Sequence, residues 1–197
     1  MENVKKAQGP PEIAPEPSPT ITPEMVRSVF EILESKGMIH YTAGGAYIPT
    51  ESGWKLLMEL KPVREEIVGF GHGDIKAIND SLIRITKSSD VDDATIAVNA
   101  NKACKDLSEE FKAAIKTGGK VEVKVEVEGE EEVFFGCGSP ALKLTSKEEI
   151  LIRKDSKIDG KTVVILSDKS ANELKQSLIE KLKNPGNKVK ITFEIKY

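Results

Sequence analysis

From about Gly69 to its C-terminus the chain repeats itself at a spacing of 67 positions, and this repeat constrains the fold more than any other feature of the 197 residues. Gly69-x-Gly71 falls on Gly136-x-Gly138, Ile83 and Ile85 on Ile150 and Ile152, and Lys87 on Lys154. Asp92 falls on Asp159, Thr95 on Thr162 and Lys102 on Lys169, and one inserted residue, Asn187, restores register for the last strand. Residues 69–128 match their partners at 16 of 60 positions, against about 6% for unrelated segments of ordinary composition. The expected reading is an internally duplicated unit, copy one at 64–130 and copy two at 131–197.

Each copy has the same order of signals. A leading strand (EEIVGF; EEVFFG) runs into a Gly-rich bend (Gly71-His72-Gly73; Gly138-Ser139-Pro140). Two extended stretches follow (DIKAI and SLIRITK; ALKLT and EILIRKD), then a loop with Asp92 or Asp159 and a buried-type strand (ATIAVN; TVVILS). A helix is expected over about Lys102–Lys116 and Lys169–Lys183, with an Ala103, Leu107, Phe111, Ile115 stripe in copy one. Thr117-Gly118-Gly119 and Asn184-Pro185-Gly186 end it. The closing strands alternate strictly, Val121, Val123, Val125, Val127 and Val189, Ile191, Phe193, Ile195, so one face is buried and the other wet. A sheet with one apolar face needs a partner layer. The expected fold is therefore α+β: several strands and one helix per copy, packed about a pseudo-twofold as a barrel or a sandwich.

Ahead of the repeat, residues 1–20 hold five prolines, with a sixth at Pro23, and almost nothing apolar. That composition reads as a disordered arm. Thr22-Pro23-Glu24 is a helix start, and Val26, Val29, Phe30 and Leu33 keep helical spacing as far as Gly37. Two β-like runs, MIHYT and AYIPT, flank Ala43-Gly44-Gly45, a hairpin signal, and SGWKLLMEL forms a last helix that Pro62 ends. Residues 21–63 thus resemble the C-terminal part of a winged-helix domain, on the run K-G-M-I and then Y-I-P-T-E-S-G-W-K-L-L. A recognition helix is basic, because neutralised phosphates supply most of its affinity. This segment has 4 basic and 5 acidic side chains, so packing, or a homodimer or protein partner held through residues 22–61, is the expected role.

The formal net charge of −3, 39% hydrophobic and 31% charged residues describe a folding chain with no general affinity for nucleic acid or membrane. No apolar run reaches the ~18 residues of a membrane span, and the cytoplasm is the expected location. Cys104 and Cys137 have no metal-type spacing and are expected to be buried free thiols. Charge is divided unevenly: residues 64–140 hold 10 basic and 16 acidic side chains, residues 141–197 hold 13 and 8. That asymmetry could hold the copies together, attract neighbours head to tail, or favour an anionic ligand at one end.

The run ILIRKDSKIDGKTVVILSDKSANEL, with GFGH in copy one, resembles an archaeal family catalogued as domain of unknown function 371, over residues 67–197. Ile152-Arg153-Lys154, Asp168-Lys169-Ser170-Ala171 and Gly71-His72 carry the likeness most specifically. Members tend to have a histidine after each second extended stretch, where this chain has Asn79 and Ser146-Lys147. The resemblance implies no activity.

The candidate ligand-binding residues are Gly71, His72, Gly73, Gly138, Arg153, Lys154, Asp168 and Lys169. Glycines let backbone N–H groups turn toward an anion, although neither nucleotide fingerprint is complete. His72 could serve as acid, base or ligand. Residues present in one copy only, such as Arg153 and Asp168, mark where an asymmetric site would arise. With no nucleophile–base pair, metal cluster or cofactor motif, the expectation is a non-enzymatic binding module for an anionic small molecule, RNA or a protein, with no cofactor and no metal. The alternative is a small enzyme with its site between the copies, using His72 with Arg153 and Lys154.

Overall fold

The structure is a computed structural model that describes residues 23–53 and 62–195. The Pro-rich arm, the Thr22 helix start and the last N-terminal helix beyond Gly53 lie outside the described residues. The chain divides into two compact units, Met1–Glu59 and Leu60–Tyr197.

In the first unit, helix α1 (Pro23–Ser35) precedes a hairpin of β1 (Ile39–Tyr41) and β2 (Tyr47–Pro49), and residues 51–53 begin another helical turn. Gly37, at φ +67°, takes the left-handed conformation that ends α1. Phe30 stacks on Tyr47 at 4.6 Å, joining helix to hairpin.

The second unit is α+β and mostly sheet. Strands β3 (Val63–Phe70), β6 (Lys120–Val127), β7 (Glu130–Cys137) and β10 (Lys188–Ile195) form an antiparallel sheet in the order β3-β10-β6-β7. A second sheet has β4 (Leu82–Thr86), β5 (Thr95–Ala97), β8 (Glu149–Arg153) and β9 (Thr162–Val164) in the order β5-β4-β8-β9. Its central pair is antiparallel and its outer pairs are parallel. Isolated bridges Phe70–Val98 and Cys137–Ile165 join the edges of the two sheets. The eight strands therefore close into a flattened ring, which removes most of the unpaired edge an open sheet would present. Helices α2 (Glu109–Ile115) and α3 (Gln176–Leu182) pack on β3 and β7, respectively. One core takes side chains from both sheets and both helices, with Phe111, Phe134 and Phe193 fully buried.

The alternation in β6 and β10 holds. Val121, Val123, Val125, Val127, Val189, Ile191, Phe193 and Ile195 point inward and are 0–2% exposed. Two expectations are corrected. The stretches DIKAI and ALKLT are not strands: Ala77 and Leu144 have φ of 51° and 53°, and a left-handed residue turns the chain out of an extended path. The helices also start later than Lys102 and Lys169. Cys104–Asp106 and Ala171–Glu173 are single 3-10 turns, Leu107 and Leu174 are extended, and α2 and α3 begin only at Glu109 and Gln176. Leu107 is buried as its spacing implied, but from a link before the helix.

Candidate functional site

Glu65 sits at an inward position of β3, 3% exposed among aliphatic neighbours. Its carboxylate receives Lys102 Nζ at 2.5 Å, and Ser108 donates both its backbone N–H (2.9 Å) and its hydroxyl (2.6 Å). The glutamate therefore neutralises a lysine and fixes Ser108, whose hydroxyl accepts the Phe111 N–H at the start of α2. Burial pushes its acidity toward the neutral form, but the Lys102 and Ser108 hydrogen bonds outweigh that and hold the carboxyl below 4.5. Sixty-seven positions on, Glu132 is 2% exposed, pairs with Lys169 and accepts the Lys175 N–H at 2.6 Å at the start of α3. Lys169, a candidate ligand residue, is thus held by a buried carboxylate.

Lys154 lies 2.8 Å from Glu173, whose carboxylate also receives the Ser170 N–H and hydroxyl. The Lys154 hydrogen bond first, then those from Ser170, lower the Glu173 carboxyl to about 2. Lys87 and Asp106 repeat this arrangement in the first half, at 3.0 Å, with the Ala103 N–H. Arg153 donates to Asp159 at 3.0 Å and to Thr162 at 3.3 Å. In the first half, Arg84 makes the matching contacts with Asp92 (3.5 Å) and Thr95 (3.1 Å), reaching them from a different strand position, and also grips Glu149 at 2.7 Å.

Asp168 accepts the Phe135 N–H at 2.9 Å and donates its own N–H to Phe135 O. Asn101 does the same with Val68. These residues add a rung beside each bridge, so both belong to the seams of the ring.

Gly71 and Gly138 are glycines for want of space: a Cβ would run into the Leu182 and Asn184 carbonyl oxygens at Gly71, and into Ile115 O at Gly138. Each bend thus packs on the C-terminal end of the other half's helix. The N–H groups of Gly71 and His72 donate to Asn187 O and Leu182 O, so the donors an anion nest would use are engaged. The surrounding carbonyls form the negative end of α3. Gly73 has open space around it. His72 Nδ1 accepts the Asp74 N–H at 3.2 Å, which leaves the ring proton on Nε2 in the neutral form. Among the described residues, no hydrogen bond or ion pair joins His72 to Arg153 or Lys154.

Cys104 is buried within 3.1 Å of Glu149 O and 3.0 Å of Lys161 O, and its thiol is pushed up to about 12, by burial first and then by the Asp159 charge. Cys137 is half-buried, which corrects the expectation of two buried thiols.

A surface that no candidate residue marked lies on the wet side of the antiparallel sheet. Arg64 and Glu66 from β3, Lys124 and Glu126 from β6, and Lys190 and Glu194 from β10 line one groove. Lys190 bridges Glu126 (3.0 Å) and Glu66 (3.9 Å), Lys124 bridges Glu131 (2.9 Å) and Glu126 (3.1 Å), and Arg64 pairs with Glu194 at 2.5 Å. Hydrogen bonding from Lys190, ahead of Lys124, lowers the Glu126 carboxyl. Several of these pairs join residues 63–130 to residues 131–195. The available signal was the polar half of the alternation in KVEVKVEVE and KVKITFEIK. No group of three or more His, Cys, Asp or Glu suited to a metal ion occurs among the described residues, and no helix there is long and apolar enough to cross a membrane.

Comparison with known proteins places the second unit. The "Uncharacterized protein MJ0206" of Methanocaldococcus jannaschii is 32% identical over 116 residues, 57% of this chain and 86% of the relative. A family profile also matches residues 54–196, which span all of the closed ring, and the chain belongs to that family, described as Domain of unknown function (DUF371).

Proposed function

We propose that this chain is a non-enzymatic binding module that takes a protein segment of mixed charge on the wet face of the antiparallel sheet. The observation that carries this reading is the groove in which three strands present both signs of charge side by side. Its charges pair mainly with one another and face water, so a partner's carboxylates and ammonium groups can exchange for them at little cost. Alternating signs fix the register of an incoming segment and reject wrong ones. Small-molecule sites are mostly apolar clefts, which this groove is not. Single-stranded RNA needs an uninterrupted basic track, and here Glu66, Glu126 and Glu131 interrupt Lys124 and Lys190.

The groove draws on both halves of residues 63–195, which we read as two copies of one unit about a pseudo-twofold axis. Support comes from elements that recur at one offset, β3 and β7, β4 and β8, β5 and β9, α2 and α3, and from left-handed non-glycine residues at Ala77 and Leu144 and at Asn99 and Leu166. Residues 23–53, a helix followed by a hairpin, are read as part of a winged-helix element.

The test is an NMR titration of the labelled full chain with an alternating Glu–Lys peptide, an oligouridylate and inorganic phosphate. The peptide is expected to shift amides of β6 and β10, with the shifts lost in Lys124→Glu/Lys190→Glu. Shifts confined to Gly71–Gly73 and Arg153–Lys154 on adding phosphate would replace this reading with the catalytic one built on His72, Arg153 and Lys154.

A further inference from the structure

The first unit carries apolar surface that its own described residues leave uncovered. Val26, Val29 and Ile32 follow one another along α1 at i, i+3 spacing and are 42%, 55% and 53% exposed. Tyr41 and Tyr47 stand opposite each other on the hairpin, 4.9 Å between ring centroids, and are 56% and 37% exposed. The Phe30–Tyr47 stack links the two groups of side chains. Scattered apolar residues need no explanation, but a joined set rimmed by polar residues marks an interaction surface.

The charge pattern of this unit identifies the occupant. The 14 residues Gly37–Thr50 contain no Asp, Glu, Lys or Arg, in a chain that is 31% charged. The α1 charges Arg27 and Glu31 fall on the side of the helix away from Val29, and Glu34 turns to the hairpin backbone at Tyr41. A symmetric contact between two identical surfaces sets residues near the axis against their own copies. Any charge there would meet its like, so an uncharged, tyrosine-bearing face suits self-pairing, and charge depletion with tyrosine enrichment is the composition of interface centres. The one charge beside the surface, Glu34, already accepts the Tyr41 N–H at 3.3 Å. The family match begins at residue 54, so the family's domain does not include residues 23–53, which carry this face.

We infer that this face of α1 and the β1–β2 hairpin is a self-association surface whose occupant is the same face of a second copy of this chain. Five half-exposed side chains present on the order of 300 Å² of apolar area, below the ~800 Å² each partner buries in a standard stable interface. The dimer is therefore reversible and concentration-dependent.

Sedimentation velocity of the full chain over a hundredfold range of concentration tests this. The weight-average mass should rise toward two chains, and the rise should persist in about 1 M salt, where surface ion pairs are screened. Val29→Glu and, independently, Tyr41→Ser should each move the midpoint at least tenfold higher in concentration. If Val29→Glu reduces helicity by circular dichroism, Tyr41→Ser decides. A monomer throughout overturns the inference, as does a rise that the variants leave unchanged. A rise abolished by salt overturns it too, assigning association to the charged sheet face.

Discussion

In the first half of the ring, Asn101 holds the seam with an amide oxygen; in the second, Asp168 holds it with a carboxylate. In the first half, Ser108 both caps α2 and donates to Glu65; in the second, Lys175 offers Glu132 only its backbone N–H and caps α3 without a side chain. The two arginines reach equivalent Asp–Thr loops from different strand positions. Each half thus performs the same structural tasks, and the residue identities vary within what each task requires. The buried Glu–Lys pair and the Asp–Thr loop are the same in both.

That difference can be broken most forcefully at the buried glutamates. Glu65→Ala and Glu132→Ala each strand a lysine and release the N-cap residue of a helix, and each should lower stability by about 2–3 kcal/mol, the third of each lysine left in water reducing the larger penalty of a dry pair. Urea melts measure this, and the loss at Glu65 should be the larger, because Glu65 alone also gives up a hydroxyl donor, from Ser108. For Glu65 the sign follows from its lowered acidity. Its contribution is present above the unfolded value and is lost as pH falls through the folded one, so the melting temperature of Glu65→Gln should fall less steeply than wild type as pH drops below 4.5.

The seams come next. Asp168→Ala and Asn101→Ala should each cost about 1–2 kcal/mol and speed amide exchange at Phe135 and Val68, respectively, because each N–H loses its acceptor. Asp168→Asn should restore protection at Phe135, since an amide does this work in the other half. A smaller gain is expected at Leu166, exposed at φ +52° where Asn99 holds the same position in the first half. Leu166→Gly should stabilise by about 1 kcal/mol through relief of the left-handed conformation, read as a higher melting temperature. The cysteines differ in rate alone: a thiol reagent should modify Cys137 in the folded protein and Cys104 only as fast as the protein unfolds.

Much of this comparison was legible in the repeat. The offset that sets Lys102 on Lys169 also sets Glu65 on Glu132, four positions ahead of the Gly69–Gly136 match. A glutamate at an inward position of β3 was the missed signal. The inward faces of β6 and β10 followed from spacing alone, and so did the order of the elements apart from DIKAI and ALKLT. The left-handed residues Ala77 and Leu144 did not, because neither alanine nor leucine announces a positive φ. The Arg84–Glu149 pair was also hidden, since it depends on the register of β4 against β8, which no local pattern encodes. The groove was hidden for a related reason: its charges lie on three strands distant in sequence, and each strand alone reads as an ordinary wet face.

The central claim is that the charged candidates Arg153, Lys154, Asp168 and Lys169 hold the fold, while the charges of the sheet groove, paired with one another, are proposed to serve a partner. The most direct test compares Lys169→Ala with Lys190→Ala in urea melts of the full chain. Lys169→Ala leaves Glu132 buried without its cation and should lose about 2–3 kcal/mol, whereas Lys190→Ala breaks only exposed pairs and should stay within about 0.5 kcal/mol of wild type. Equal losses, or a larger loss at Lys190, would contradict the assignment of the first lysine to the fold and the second to binding.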